Sequence, residues 1–156
     1  MAQSNGLNPN FETLTAKKPV VSDVGATRSI TAGESGATFL MNRAAGQVYT
    51  LPKAIPGFFV DFVVSTTVTS NSYKVITATG TELLTGNLIS IDTDSSNATV
   101  GFVANGTNHI AITMNGTTTG GVAGTKFRLT CLSSTLWVVE GSIEGTGTVA
   151  TPFATS

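Results

Sequence analysis

Few side chains in this sequence carry the chemistry of catalysis, and their spacing suits it poorly. His109 is the single histidine and Cys131 the single cysteine. Acyl transfer needs a nucleophile, a base and an orienting acid brought together. Ser35 stands in Gly-Glu-Ser-Gly, which lacks the second glycine of a nucleophile elbow. Cys131 alternates with Phe127 and Leu129, the pattern of a small buried hydrophobe rather than of a reactive thiol. Asp92-Thr93-Asp94 supplies two carboxylates, short of the roughly six to eight oxygens that Ca²⁺ takes, so a turn closing a strand is expected there. Gly116–Gly124 is glycine-rich like a phosphate loop but lacks the Gly-Lys-Ser/Thr ending and a following helix. It is expected to be a mobile surface loop or a close approach between subunits. Asn97, Asn105 and Asn115 each begin an Asn-X-Thr sequon and read as turn residues beside strand threonines. No catalytic residue, metal or cofactor is expected.

The elements that would position these residues read as short strands. Asn105-Gly106 and Asn115-Gly116 sit between apolar runs, the strongest short-range hairpin signal. A three-residue loop Ala104-Asn105-Gly106 puts Ala98, Val100, Phe102, Ile110 and Ile112 on one face, which predicts a hairpin in that register. His109 then lies on the outer face. Lys126–Leu132 and Leu136–Gly141 predict a second hairpin around Ser133–Thr135, with Phe127, Leu129, Cys131, Trp137 and Val139 inward and Lys126, Arg128 and Thr130 outward. Phe58–Ser65 is apolar on nearly both faces, as in a central strand, with Phe58, Val60, Phe62 and Val64 together. Further strands are expected over Thr27–Thr31, Thr38–Asn42, Gln47–Leu51, Tyr73–Ala78 and Leu88–Asp92.

The domain plan follows: an extended N-terminal arm over 1–25, a β domain over 26–144 and a C-terminal tail over 145–156. The fold class expected is all-β, a jelly-roll-like sandwich or barrel of short antiparallel strands with extended arms at both ends. No sequence repeat is visible, so a solenoid or propeller is not expected.

Composition narrows the function. Hydrophobic residues make up 40% of the chain, enough for a core, while charged residues are only 11%. The ordinary charged share is about 25%. A net charge of -1 argues against a nucleic-acid partner, because phosphate neutralisation requires clustered Lys and Arg. The opening residues have no basic, apolar pattern of a signal peptide, and no apolar run approaches the roughly 20 residues that span a bilayer. Synthesis in the cytoplasm is expected, with no membrane partner.

Against that background the sequence resembles bacteriophage head decoration (cement) proteins with a jelly-roll-like β domain. The resemblance rests on GATRSITAGESGATFLMNRAAGQVYTLP (25–52), TSNSYKVIT (69–77), NGTTTGGVAGTKFRLTCLSSTLWVVEG (115–141) and GTVATPFATS (147–156). It implies a non-enzymatic structural protein on the outside of an icosahedral phage capsid, bridging major capsid proteins as a homotrimer at the virion surface. On that basis Phe11, Leu14, Lys17, Lys18, Val20 and Val21 of the arm are expected to bind the capsid, and His109 and Phe153 to contact a neighbouring subunit. The alternative is a tail-fibre or receptor-binding module recognising cell-surface glycan. An exposed Trp137 or Tyr49 in a groove would favour that alternative.

Overall fold

A computed structural model describes residues 17–94 and 99–156. Runs of β-branched and aromatic residues, broken by Gly, Asn and Pro, form twelve strands among the described residues. They are β1 (Val20–Ser22), β2 (Thr27–Ser29), β3 (Thr38–Met41), β4 (Gln47–Thr50), β5 (Phe59–Val64), β6 (Tyr73–Ile76), β7 (Leu83–Asp92), β8 (Thr99–Asn105), β9 (Ala111–Met114), β10 (Lys126–Ser133), β11 (Leu136–Gly145) and β12 (Phe153–Ala154). One sheet has the order β1-β3-β5-β10-β11-β7-β8 and the other β12-β9-β6-β4-β2. The inward faces of the two sheets share one core, so the all-β sandwich expectation holds.

The pairing is not all antiparallel. β1, β3 and β5 run parallel, as do β2, β4 and β6, and β7 lies parallel to β11. From β1 to β6 the chain alternates sheets at each strand and so winds in coils of two strands. Neighbouring strands are 18 and 23 residues apart in one sheet (Val20, Thr38, Asp61) and 21 and 26 in the other (Thr27, Val48, Lys74). That uneven spacing is why a coiled path leaves no repeat in the sequence.

The core is aromatic where the coils meet the later strands. Phe62 stacks between Phe39 and Phe127, with ring centroids 5.6 and 5.2 Å away. Tyr49 meets Phe62 edge-on at 5.4 Å, and its hydroxyl donates to Gln47 Oε1 at 2.7 Å. Gln47 Nε2 in turn donates to the Asp23 carbonyl, so this buried polar pair is satisfied and ties the β1–β2 connection down. Val60, Phe62 and Val64 of β5 face inward, as does Phe58 just before it, and β5 lies between β3 and β10 as a central strand.

The β10–β11 hairpin has the expected facing: Leu129 opposes Val139, Cys131 opposes Trp137, and all four are buried. The turn is tighter than a three-residue loop, because Ser133 pairs with Leu136 and a bulge falls at Leu132.

The 98–112 hairpin does not form. β8 pairs with β7, where Phe102 opposes Leu88, and β9 belongs to the other sheet, between β6 and β12. Phe102 and Ile112 do point into the same core, but from opposite sheets. Ala98 and Asn97 lie outside the described residues.

Part of each expected arm belongs to a sheet. Val20–Ser22 is already a strand of the larger sheet, and Thr38 N–H donates to the Pro19 carbonyl at 2.8 Å. At the other end, Phe153 and Ala154 add to β9 opposite Ile112 and Ala111.

Candidate interaction surface

The residues with chemical potential are occupied by structure. His109 Nδ1 accepts the Asn105 N–H at 3.1 Å, and its ring stacks on Phe153. Cys131 is buried, and burial pushes its thiol above the ordinary range, with the nearby Glu82 carboxylate acting in the same direction. Ser35 Oγ accepts from Phe59 N–H. Asp92 Oδ1 accepts from Asp94 N–H and Asp94 Oδ2 from Gly147 N–H, the turn expected after β7. Asn105 and Asn115 act as turn residues: Asn105 Oδ1 accepts from Thr107 N–H, and Asn115 Oδ1 from Thr117 and Thr119 N–H. The glycine loop does make a close approach, to its own chain. Gly116 has φ of +82°, and a Cβ there would lie 1.8 Å from the Val68 carbonyl oxygen.

Trp137, Tyr49 and Tyr73 are at most 1% exposed, so none of them can serve as a sugar-stacking platform. Trp137 Nε1 donates instead to the buried Glu82 carboxylate, whose other oxygen accepts from Ala54 N–H.

The residues expected to bind the capsid part company. Phe11 and Leu14 lie outside the described residues. Lys17 is exposed; Lys18 forms an ion pair with Asp61 of its own chain. Burial and the neighbouring Arg128 guanidinium hold the Lys18 ammonium below the usual lysine range. Val21 packs against the core, while Val20 remains 66% exposed. Of the two residues expected at a subunit contact, Phe153 is buried on its own chain and His109 lies against it. A strand added to β9 is satisfied locally, and that is the physical reason Phe153 does not reach outward.

The outer face of the seven-stranded sheet is one surface exposed among the described residues. Its middle carries Asp61, gripped by Arg128 through Nε at 2.7 Å and Nη2 at 3.1 Å, with the Arg128 guanidinium over the Phe59 ring. A shallow groove of about 350 Å³ runs beside it, lined by Thr38, Asp61, Val63 and Lys126 among others.

The far end of the face differs in kind. Along Leu88–Asp92 the alternation is inverted: Ser90 and Asp92 point inward and are buried, while Ile89 and Ile91 point outward at 46% and 45% exposure. Ser90 Oγ has no hydrogen-bond partner among the described residues. Val103, opposite Asn87 on the neighbouring strand β8, is 69% exposed. No charged side chain interrupts the outward positions of β7 and β8 among the described residues. Sequence reasoning passed over this strip, although the Ile89/Ile91 alternation was its visible signal. Comparison with protein-family models, with curated proteins and with solved structures gave no match to this chain.

Proposed function

We propose that the protein is a non-enzymatic component of a phage particle that binds the outside of the capsid and bridges neighbouring major capsid proteins. The inverted alternation on β7 carries this reading. A strand that buries Ser90 and Asp92 while exposing Ile89 and Ile91 presents apolar area that none of the described residues buries, and grouped exposed apolar residues of that kind mark interaction surfaces. Low charge, a histidine and a cysteine both spent on structure, and the resemblance to decoration proteins support the same reading. Many copies on one particle would multiply a modest contact through avidity. The glycan-binding alternative has lost the aromatic side chains it needed.

The strip Ile89, Ile91 and Val103 is the proposed contact, with Val20 on the same sheet and Lys17 just before its first strand as outlying points. Its test is co-sedimentation with phage capsids assembled from a major capsid protein of the same source, together with the temperature at which those capsids open. Ile89→Lys and Ile91→Lys should abolish capsid binding and the gain in heat resistance while leaving the isolated protein's thermal unfolding in place. Binding that persists in the double variant removes the proposed contact. A wild-type protein that never sediments with capsids removes the function.

A further inference from the structure

β8 is the longest open strand edge among the described residues. The other three sheet edges are β1 and β2, of three residues each, and β12, of two, against seven in β8. Natural sheets blunt a long edge with Lys, Pro, a bulge or a covering segment. β8 reads TVGFVAN and contains none of the charged residues or proline that would do so. Its register with β7 runs without a bulge from Asn105 to Thr99.

The hydrogen-bond phase identifies the groups left open. Gly106 N–H donates to the Leu84 carbonyl, which makes Thr85 and Asn105 a non-hydrogen-bonded pair. By alternation Thr99, Gly101 and Val103 are also in such pairs, so their N–H and C=O groups point away from β7. The next outward donor, Asn105 N–H, is taken by His109 Nδ1, which closes the edge at that end.

We infer that β8 pairs antiparallel with β8 of a second copy of this chain about a two-fold axis at Gly101. The strand is self-complementary in that arrangement. Gly101 faces Gly101 across the axis, and Thr99 faces Val103 on each side, so three residue pairs place all of their open donors and acceptors opposite one another. A Cβ at Gly101 would meet nothing within 4 Å, so the outer surface has room around the axis. A strand with no charge sets no like charges against each other when it pairs with itself. A two-fold interface requires one patch to complement itself, and this one does. The inference stands apart from capsid binding, since it concerns the edge of β8 and not what covers its face.

Sedimentation equilibrium of the full chain through the micromolar range tests it, with charged residues placed on the axis. The wild type is expected to be dimeric, in place of the homotrimer that the resemblance to decoration proteins implies. Gly101→Lys and Gly101→Glu should each weaken the dimer by about ten-fold or more, because each sets like charges directly opposite. Mixed in equal amounts, the two variants should recover the dimer, a rescue that local misfolding cannot produce. Thr99→Lys combined with Val103→Lys, which sets like charges opposite each other at both flanking pairs, should also give a monomer and provides a second variant if position 101 proves intolerant. A monomeric or trimeric wild type, or a mixture of folded Lys and Glu variants that stays monomeric, overturns the pairing. None of these outcomes depends on whether capsids are bound.

Discussion

The imidazole of His109 lies nearly flat against the ring of Phe153, with centroids 5.7 Å apart and planes inclined by 16°. This contact closes the C-terminal segment onto β9, because Phe153 pairs with Ile112 and Ile110 N–H donates to the Ala154 carbonyl. Phe153→Ala removes a buried ring from the end of a two-residue strand and should cost about 3 kcal/mol. Limited proteolysis should then cut within 146–156 faster than in the wild type. Unchanged stability and cleavage would mean the ring contributes nothing to this closure.

Glu82 is 2% exposed and accepts from Trp137 Nε1 at 3.3 Å and from Ala54 N–H at 3.1 Å. Glu82→Ala strands both donors in the interior and should cost about 2–4 kcal/mol. Glu82→Gln keeps an acceptor and should recover part of that loss. Urea unfolding followed by Trp137 fluorescence measures both, and equal costs for the two variants would contradict the hydrogen-bonding role.

Gly116 and Val68 approach so closely that no side chain fits between them, and the positive φ at Gly116 adds backbone strain for any L residue. Gly116→Ala should therefore destabilise by more than about 3 kcal/mol or prevent folding. Gly57→Ala is the control: its φ is also positive, but an added Cβ meets nothing within 4 Å, so only the backbone penalty of about 1–2 kcal/mol should register.

Arg28 is held between Asp23 and Glu34, bonding Asp23 at 3.0 Å and pairing with Glu34 as well. The Gly25 N–H and then Arg28 hold the Asp23 carboxyl below its ordinary value of 3.8. Burial pushes Glu34 upward, but hydrogen bonds from Thr31 and Arg28 outweigh it and leave the group below its ordinary 4.5. Both folded-state values are depressed, so their stabilisation is fully present above the unfolded values and is lost as pH falls through the folded ones. Acidification from neutrality to below pH 3.8 should lower the melting temperature, and Asp23→Asn/Glu34→Gln should blunt that fall. An identical acid dependence in the double variant would assign the effect elsewhere.

The β10–β11 hairpin was legible because its strands adjoin in sequence and share a sheet, so the parity of Phe127, Leu129, Cys131, Trp137 and Val139 determined both facing and register. The same reasoning at Asn105-Gly106 gave the right facing and the wrong partner. Parity reports only that Phe102 and Ile112 turn toward the core. In a sandwich a residue can do that from either sheet, and after Asn105 the chain crosses to the other one. The strip at Ile89, Ile91 and Val103 escaped notice because exposure depends on what the second sheet and the loops leave uncovered. By the ordinary rule Ile89 and Ile91 would turn inward and Ser90 and Asp92 outward, the reverse of what the second sheet imposes.

The amino-acid sequence by itself determined an all-β chain with a shared core, its central strand at Phe58–Ser65, the buried places of Cys131 and Trp137, and the turn roles of Asn105 and Asn115. Those properties follow from period-two patterning and turn chemistry, which act over a few residues. Long-range packing made half of the ten strand pairings among the described residues parallel, brought Val20–Ser22 and Phe153–Ala154 into the sheets, and set His109 against Phe153. Each of these depends on which distant strands lie side by side. Backbone hydrogen bonding accepts almost any sequence as a partner, so that choice was left to the packing of the whole core.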